Sequence, residues 1–346
     1  MHANSATLSS EAQAIAATSP AMLFAPATAA LKQAKTLFIT VHVNPDGDAL
    51  GSALAVMRVC EAAFPNLERV DCVMDGEPPE YLSVIPDLSR VQNVHTASNL
   101  LAVYDVAISC DSGSLERLGA CGSYFQAAKV SINLDHHSSN TLFGDVNLLM
   151  YDAAASGEVV AHWMHHLGVA LTPNMAAAIY TTLVTDTGGF RFPSTSAYTH
   201  RLAAQCVEAG CEHSAIYKNI YEYRPKVQVM LITQAVASAT FEMDNRFAWT
   251  TITQQQLNEH HALEEHTEGV VDALRQMREV ELAAFFKEMP DGSVKISLRS
   301  DRPHINVANV LTPLGGGGHA AAAGCSFEMG LEETLNTLLP QLRALL

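Results

Sequence analysis

From about residue 35, short apolar runs alternate along the chain with stretches of helical periodicity. Runs rich in β-branched residues predict strands at residues 36–43, 70–74, 104–110 and 130–134. After the first strand, Leu50, Leu54 and Met57 recur at the spacing of one helix face. This alternation is typical of a parallel sheet whose strands are joined by crossover helices.

The rest of the chain predicts a helical pair followed by a second unit. Helices are expected over residues 158–167 and 175–186, and Pro173 stands where a helix start tolerates proline best. The sheet unit is expected to close near Ala204, with a linker around residues 217–235. The second unit is predicted to hold a helix over residues 269–277, a glycine run, a final helix, and strands at residues 247–252, 280–286 and 294–299.

Length and terminal composition refine this picture. Because 346 residues exceed what one hydrophobic core usually supports, we expect a two-domain α/β protein. The first thirty residues are rich in Ala, Ser and Thr and predict a loose or helical extension. No Lys or Arg precedes Lys32, so the basic start of a secretory signal is missing.

The apolar stretches and the cysteines bear on the compartment. Every apolar stretch is interrupted by a charged residue or a histidine before it reaches the roughly 18 residues that a membrane helix needs. The seven cysteines include no C-x-x-C pair and are typical of reduced thiols. We therefore expect a cytoplasmic protein with no membrane partner.

The charge balance limits the partners. Lys and Arg total 20 against 36 Asp and Glu, a net charge of −16. Such a protein repels long duplex nucleic acid, and a phosphate-bearing substrate then needs local compensation, which bound divalent cations can supply. Length and charge are compatible with a homodimer as well as with a monomer.

The segment after the first strand concentrates polar chemistry. His42, Asp46 and Asp48 fall within seven residues, and Pro45 and Gly47 shape the turn between them. Ligands bind at the carboxyl ends of strands in open α/β sheets, so the segment is a candidate metal site. A solvated acidic turn that caps the following helix would explain it as well.

Three further segments place ionisable side chains at element ends. Asp111 follows an apolar strand, although Asp-Ser-Gly is also ordinary turn chemistry. Asp135, His136 and His137 follow another strand, where adjacent ionisable groups are costly without partners. Asp186 ends an apolar helix, where its charge opposes the helix dipole unless a cation lies nearby.

Together these segments are more specific than any one of them. Two hard divalent cations about 3.5–4 Å apart can share bridging carboxylates, activate a water and hold phosphoryl oxygens. Mixed oxygen and nitrogen ligands favour manganese, whereas the absence of thiolates argues against a structural zinc site.

A glycine run in the second unit is a candidate anion site. Gly316, Gly317 and Gly318 precede His319, and glycine exposes backbone N–H groups to an approaching anion. A flexible turn would have the same composition. Arg299 ends the preceding predicted strand and has the geometry for a bidentate phosphate contact.

Five segments resemble the DHH phosphoesterases that carry a C-terminal DHH-associated domain. They are HVNPDGDALGS, CDSGS, LDHHSSN, LVTDTGGFRF and GGGGHAAAAGC. The resemblance implies a parallel-sheet DHH domain over residues 35–205, a linker over 206–235 and a smaller α/β DHH-associated domain over 236–346. Residues 1–34 remain as the extension. Size and the lack of added domains resemble the nano-RNase and pAp-phosphatase branch.

The resemblance also implies roles for individual residues. Two manganese ions, with Mg²⁺ or Co²⁺ as substitutes, would share Asp111 and Asp186 as bridges and be completed by His42, Asp46, Asp48 and His136. His137 would face the scissile phosphate and Asp135 would orient a ligand histidine. Across an inter-domain cleft, substrate would be held by Arg299, Ser300, His319 and the glycine run.

Several functions fit these residues. The preferred one is manganese-dependent hydrolysis of short oligoribonucleotides or pApA to mononucleotides, together with release of phosphate from 3′-phosphoadenosine 5′-phosphate (PAP). Cleavage of cyclic di-AMP uses the same chemistry. A pyrophosphatase or exopolyphosphatase is a second enzymatic hypothesis, and a non-catalytic nucleotide- or RNA-binding module is a third. The last predicts a broken ligand set, and all six ligands are present.

Overall fold

The computed structural model describes residues 19–300 and 302–346, except for the side chains of Pro20 and His319. The chain divides into two compact units between Tyr223 and Arg224. That division falls inside the predicted linker, which is helical on both sides of it.

The first unit is built on a six-stranded sheet in which every pair of neighbours is parallel. Its strands are β1 (Thr36–Val41), β2 (Arg69–Met74), β3 (Val91–Asn93), β4 (Val106–Cys110), β5 (Val130–Asp135) and β6 (Val146–Leu149). The order β3-β2-β1-β4-β5-β6 reverses between β1 and β4. Ligands of such sheets bind at this switch point.

The sequence predicted four of these strands and missed two. Strands β3 and β6 are only three and four residues long and lie at the two edges of the sheet. No residue of β3 is buried, and only the last two residues of β6 are. Neither edge strand therefore has the continuous apolar run by which the four central strands are recognised.

The helices of the first unit lie mainly in its second half. They are α1 (Pro20–Gln33), α2 (Gly47–Ala63), α3 (Gly122–Ala127), α4 (Ser156–His166), α5 (Pro173–Asp186), α6 (Ala197–Glu208) and α7 (His213–Tyr217), with one π-helical turn at Lys218–Glu222. Helix α4 begins two residues before the predicted start, and α5 begins at Pro173 as predicted. The unit continues past residue 204 because Cys206 and Ile216 belong to its core.

Helices α2, α4 and α5 pack closely because glycines of α2 and α4 face threonine side chains of α5. A Cβ atom on Gly47 of α2 would lie 2.4 Å from Thr185 Cγ2, and one on Gly157 of α4 would lie 1.8 Å from Thr182 Oγ1. Only glycine leaves room for this contact. The starts of α2 and α4 are thereby held against the last turn of α5.

Helix α1 makes part of the predicted N-terminal extension a core element. Phe24 and Leu31 are fully buried, and the Phe24 ring stacks on Trp163 of α4 with centroids 6.5 Å apart. Trp163 Nε1 donates to Thr28 Oγ1 at 3.3 Å. The extension is therefore not a loose appendage over these residues.

The second unit contains a mixed sheet in the order β11-β12-β10-β9-β8-β7. Only β8 and β9 are parallel neighbours. The strands are β7 (Thr240–Glu242), β8 (Phe247–Ile252), β9 (Leu282–Glu288), β10 (Val294–Arg299), β11 (Gly317–His319) and β12 (Ala322–Phe327). The sequence missed β7, β11 and β12, because the glycine and alanine residues of β11 and β12 give no strand pattern and β7 has only three residues.

The helices of the second unit are α8 (Lys226–Ala237), α9 (Gln254–Glu259), α10 (Val270–Arg275), α11 (Ala308–Leu311) and α12 (Leu331–Arg343). Leu231 and Ala235 of α8 are buried in one cluster with Ala248 and Ile252. Residues 226–235, predicted as linker, therefore belong to the core of this unit.

All seven cysteines lie in the described part of the chain, where they are buried free thiols. None of the helices described combines the length and the apolar character needed to cross a membrane.

Replacing Phe24 by Ala tests whether α1 is integral to the first unit. The change removes a fully buried ring and leaves a cavity, so we expect the free energy of unfolding to fall by roughly 3–5 kcal/mol. Met22→Ala is the matched control, because Met22 lies on the same helix and is 70% exposed. Urea titration followed by far-UV circular dichroism measures both. Equal, small effects would contradict the packing.

Candidate metal centre

The predicted ligands converge at the carboxyl ends of three central strands of the first sheet. His42, Asp111 and His136 immediately follow β1, β4 and β5, which are neighbouring strands. Asp46 and Asp48 lie at the start of α2, and Asp186 is the last residue of α5. The glycine-mediated helix contact brings these last three residues to the strand ends.

Three groups of side chains in the described chain have ligand atoms close enough to hold a metal ion, and they adjoin one another. One group is His42, Asp46 and Asp111, and the second is Asp48, His136 and Asp186. The third consists of Asp111, Asp135, His136 and His137. Within each group the ligand atoms lie within 4.8 Å of one another. All six predicted ligands are thus brought together.

Local hydrogen bonds orient the two aspartates of the α2 start. Asp46 is the N-cap of α2, and its Oδ1 accepts from the backbone N–H of Asp48 at 3.0 Å. Asp48 is fully buried and accepts from the backbone N–H of Ser156 at 2.8 Å and of Gly157 at 3.2 Å. These two N–H groups open helix α4, so the helix dipole stabilises the Asp48 charge.

Asp111 adopts a backbone conformation that few residues tolerate. Its φ of 58° lies in the left-handed region, where aspartate and asparagine are the usual non-glycine residues. Its backbone N–H donates to the carbonyl of Leu134 at 2.9 Å, and its Oδ1 accepts from Ser156 Oγ at 2.9 Å. Backbone strain of this kind clusters at functional sites.

The two candidate ligand histidines have fixed tautomers. His42 Nδ1 lies 2.8 Å from the carbonyl of Val43, and His136 Nδ1 lies 3.1 Å from the carbonyl of Ala153. A carbonyl only accepts, so each Nδ1 carries a proton, and in the tautomer without a second proton each ring turns an Nε2 lone pair the other way.

Those lone pairs face carboxylates. His136 Nε2 is buried without a hydrogen bond and lies 3.2 Å from Asp186 Oδ2 and 3.6 Å from Asp48 Oδ2. His42 Nε2 lies 3.8 Å from Asp111 Oδ2. In this tautomer acceptors face acceptors, an arrangement that a bound cation satisfies, and oxygen with imidazole nitrogen is a donor set suited to manganese and related divalent ions. The residues therefore fit the predicted metal pair.

Without a cation the cluster binds protons tightly. Burial raises the pKa of Asp48 well above its usual value, and the charges of Asp111 and Asp186 add to the shift. Burial likewise raises the pKa of Asp111, with a further contribution from Asp46. Burial raises the pKa of Asp186 to about 7, although His136 opposes the shift.

Asp135 contacts both histidines that follow it, and its role in orienting a ligand histidine stays a prediction. Its Oδ1 accepts from His137 Nδ1 at 2.7 Å and contacts His136 only through that residue's backbone N–H. The ring of His136 turns instead to the Ala153 carbonyl. Burial alone would lower the pKa of His137, but the hydrogen bond to Asp135 and the charge of Asp111 raise it to about 9.

Sequence reasoning overlooked two residues that organise this site. Asn140 Nδ2 donates to Asp135 Oδ2 at 2.6 Å and to the carbonyl of Ser112 at 3.0 Å, which links two of the strand ends. Ser156 holds both Asp48 and Asp111. Two features of the sequence could have identified them: Asn140 lies within the LDHHSSN segment, and Ser156 lies at the start of a helix.

The predicted substrate residues lie in the second unit, and their roles stay predictions. Ser300 is buried, donates to the carbonyl of Glu281 at 2.7 Å and accepts from the backbone N–H of Arg302, so its hydroxyl stabilises the fold. Arg299 ends β10, where its Nη1 donates to the Leu298 carbonyl at 3.0 Å.

The glycine run forms part of a strand pair and not the flexible turn that its composition also allows. Gly317 and Gly318 pair with Gly324 and Ala323 of β12, and both glycines are exposed. Gly318 has a φ of 137°, and a Cβ there would meet the Ala322 carbonyl at 2.3 Å. Gly316 is partly buried against Leu311. The side chain of His319 lies outside the described residues.

Comparison with known families agrees with this arrangement. Residues 36–184 match the DHH family, N-terminal domain, and residues 250–346 match the DHHA1 domain. This chain belongs to the DHH family. It carries the DHH and DHHA1 domains in that order and is a phosphoesterase, a hydrolase of phosphoric esters.

Curated relatives of this DHH phosphoesterase align over most of its length. The bifunctional oligoribonuclease and PAP phosphatase NrnA of Thermus thermophilus is 28% identical over 312 residues, 89% of each chain. The protein of the same name from Bacillus subtilis is 27% identical over 297 residues, which cover 84% of this chain and 89% of the relative.

A solved structure shows the same fold. The exopolyphosphatase-related protein of Bacteroides fragilis superposes with a TM-score of 0.86 at 22% identity, covering 99% of this chain and 98% of its own. At that identity the likeness concerns the fold and leaves the substrate open.

The raised carboxylate pKa values predict an unusual pH dependence for the metal-free protein. Because the folded state holds protons that the unfolded state releases above about pH 4, this contribution to stability is present at low pH and is lost as pH rises through the folded pKa of Asp186, about 7. In EDTA we expect the urea midpoint to fall between about pH 5 and pH 8, and Mn²⁺ to restore it.

Asp186→Asn should reduce that fall because it removes one of the shifted carboxylates. Asp145→Asn is the matched control, since hydrogen bonds from Ser131 lower the pKa of Asp145 and give it the opposite pH dependence. An unchanged fall in Asp186→Asn would contradict the assignment.

Proposed function

We propose that this phosphoesterase hydrolyses short oligoribonucleotides to mononucleotides and removes a phosphate from PAP, with two divalent cations held by the six ligands. The observation that carries the proposal is the pair of buried imidazole lone pairs directed at a cluster of carboxylates. The names of the Thermus thermophilus and Bacillus subtilis relatives supply the substrate class.

The ligand groups suggest how the ions are divided. His42, Asp46 and Asp111 would hold one ion, and Asp48, His136 and Asp186 the other. When bound, such ions supply a nucleophilic water at neutral pH and neutralise charge on the phosphoryl oxygens. We assign Asp111 and Asp186 as bridges, with manganese as the expected ion.

The chain's own residues would complete the chemistry. Asp135 accepts from Nδ1 of His137 at 2.7 Å and so orients the ring, which we assign to face the scissile phosphate. Asn140 fixes the other oxygen of Asp135 and so limits rotation of the pair. The net charge of −16 favours short substrates, because a long strand would need a basic track.

A substrate panel tests the proposal. With Mn²⁺, we expect turnover of pApA, a five-nucleotide RNA and PAP, and slow or no turnover of pyrophosphate. Ion-exchange chromatography of the products separates AMP from intermediates and reports each substrate. Pyrophosphate or cyclic di-AMP as the one good substrate would replace the proposed function by the corresponding alternative.

Asp111→Asn tests the bridging ligand. Asparagine fits the left-handed backbone and can still accept from Ser156, so the variant removes the charge with little strain. We expect kcat/KM on pApA to fall by about 10³-fold or more, since several kcal/mol of electrostatic stabilisation is lost. Glu208→Gln, an exposed carboxylate on α6, is the matched control. Near-normal activity of Asp111→Asn would refute the metal assignment.

A further inference from the structure

The loop after Asp186 carries an exposed aromatic ring and a cation that the proposed chemistry leaves unused. The Phe192 side chain is 46% exposed, and the guanidinium carbon of Arg191 lies 6.0 Å from the centroid of its ring. Single exposed hydrophobic residues are common on protein surfaces. Exposure alone therefore assigns nothing, and the backbone that holds the ring must be considered.

That backbone is strained and firmly fixed. Gly188, Gly189 and Phe190 are consecutive left-handed residues, with φ values of 59°, 71° and 66°. A left-handed non-glycine residue is strained and persists only where its surroundings enforce it. Here the backbone N–H groups of Arg191 and Phe192 both donate to the carbonyl of Thr187, at 2.9 and 3.0 Å.

The fixed loop holds the ring on backbone that lies close to Asp186 along the chain. A Cβ on Gly188 would lie 2.6 Å from Phe192 Cζ, so the ring rests on backbone two residues after Asp186. Behind the loop, Tyr221 contacts Gly189, and its hydroxyl donates to the Val184 carbonyl at 2.8 Å. The exposed ring therefore belongs to the segment that directly follows the candidate ligand Asp186.

An exposed ring and a guanidinium beside phosphate chemistry match one class of ligand. Proteins that bind single-stranded nucleic acid stack bases on aromatic side chains and add arginine contacts. We propose that Phe192 is a stacking platform for a nucleobase adjacent to the scissile phosphate, and that Arg191 reinforces this subsite. The proposal rests on the proposed function, because it requires a nucleotide substrate.

The subsite gives a physical reason why two substrates share one site. In both PAP and a short RNA, one sugar separates a base from the phosphate whose ester bond is hydrolysed. A ring that stacks on any base would position both, with little preference for sequence. Phe192 is therefore a specificity residue for nucleotides over base-free phosphates.

Variants at position 192 test the stacking. Steady-state kinetics with Mn²⁺ would use pApA and two analogues in which either the 5′ or the 3′ sugar lacks its base. Stacking contributes about 1–3 kcal/mol per base, so we expect Phe192→Ala to lower kcat/KM on pApA by about 5- to 150-fold, mainly through KM. Phe192→Tyr should retain activity, and Phe192→Leu should lower kcat/KM on pApA nearly as far as Phe192→Ala does.

The base-free analogues decide between stacking and a structural effect. On one of them Phe192→Ala should equal the wild type, because the stacked base is already absent. Phe241→Ala, which removes an exposed ring on β7, should leave every substrate unchanged. An equal loss on pApA and both analogues would overturn the proposal, because the residue would then act through the loop and Asp186.

Binding of AMP separates this proposal from the proposed function. Isothermal titration calorimetry of the manganese-loaded protein with AMP needs no turnover, and Phe192→Ala should weaken binding at least about fivefold. If only pyrophosphate is hydrolysed but AMP binding still depends on Phe192, the proposed function fails and the base subsite stands. If pApA is hydrolysed and Phe192→Ala changes neither kinetics nor AMP binding, the subsite is wrong.

Discussion

The carboxylates of Asp46, Asp48, Asp111 and Asp186 share a volume in which like charges cannot remain uncompensated. Their surroundings supply part of the compensation through the first N–H groups of α4, the hydroxyl of Ser156 and the cap of α2. The neighbouring imidazoles add lone pairs and therefore add no positive charge in their neutral form. The negative charge that remains uncompensated is relieved either by bound protons, which is why the carboxylate pKa values are raised, or by bound cations.

That cluster depends on the close packing of three helices, in which glycines of two helices face threonine side chains of the third. Gly47 and Gly157 leave room for Thr185 and Thr182, and the contact sets Asp48 and Asp186 against the ends of β1, β4 and β5. An alanine at either glycine would push apart elements that carry ligands, so the packing of the core and the electrostatics of the site cannot vary independently.

Much of this arrangement could be predicted from the sequence. The central strands have continuous apolar runs, and each ligand stands at the end of an element. Parallel topology then predicts that the ligands meet at the carboxyl ends of the strands. The edge strands β3 and β6 and the small-residue strand β12 could not be found, since their formation depends on neighbours and not on local pattern. The carbonyls that orient His42 and His136 are invisible to sequence, because any residue type supplies them.

The distribution of the ligands along the chain has a consequence for biosynthesis. They span residues 42 to 186 and belong to four separate segments, and the central pairing of β1 with β4 joins residues about 70 positions apart. Contacts of such sequence separation form late in folding. A growing chain therefore presents no complete ligand set until most of the first unit has left the ribosome, so loading with ions would follow folding and could not guide it.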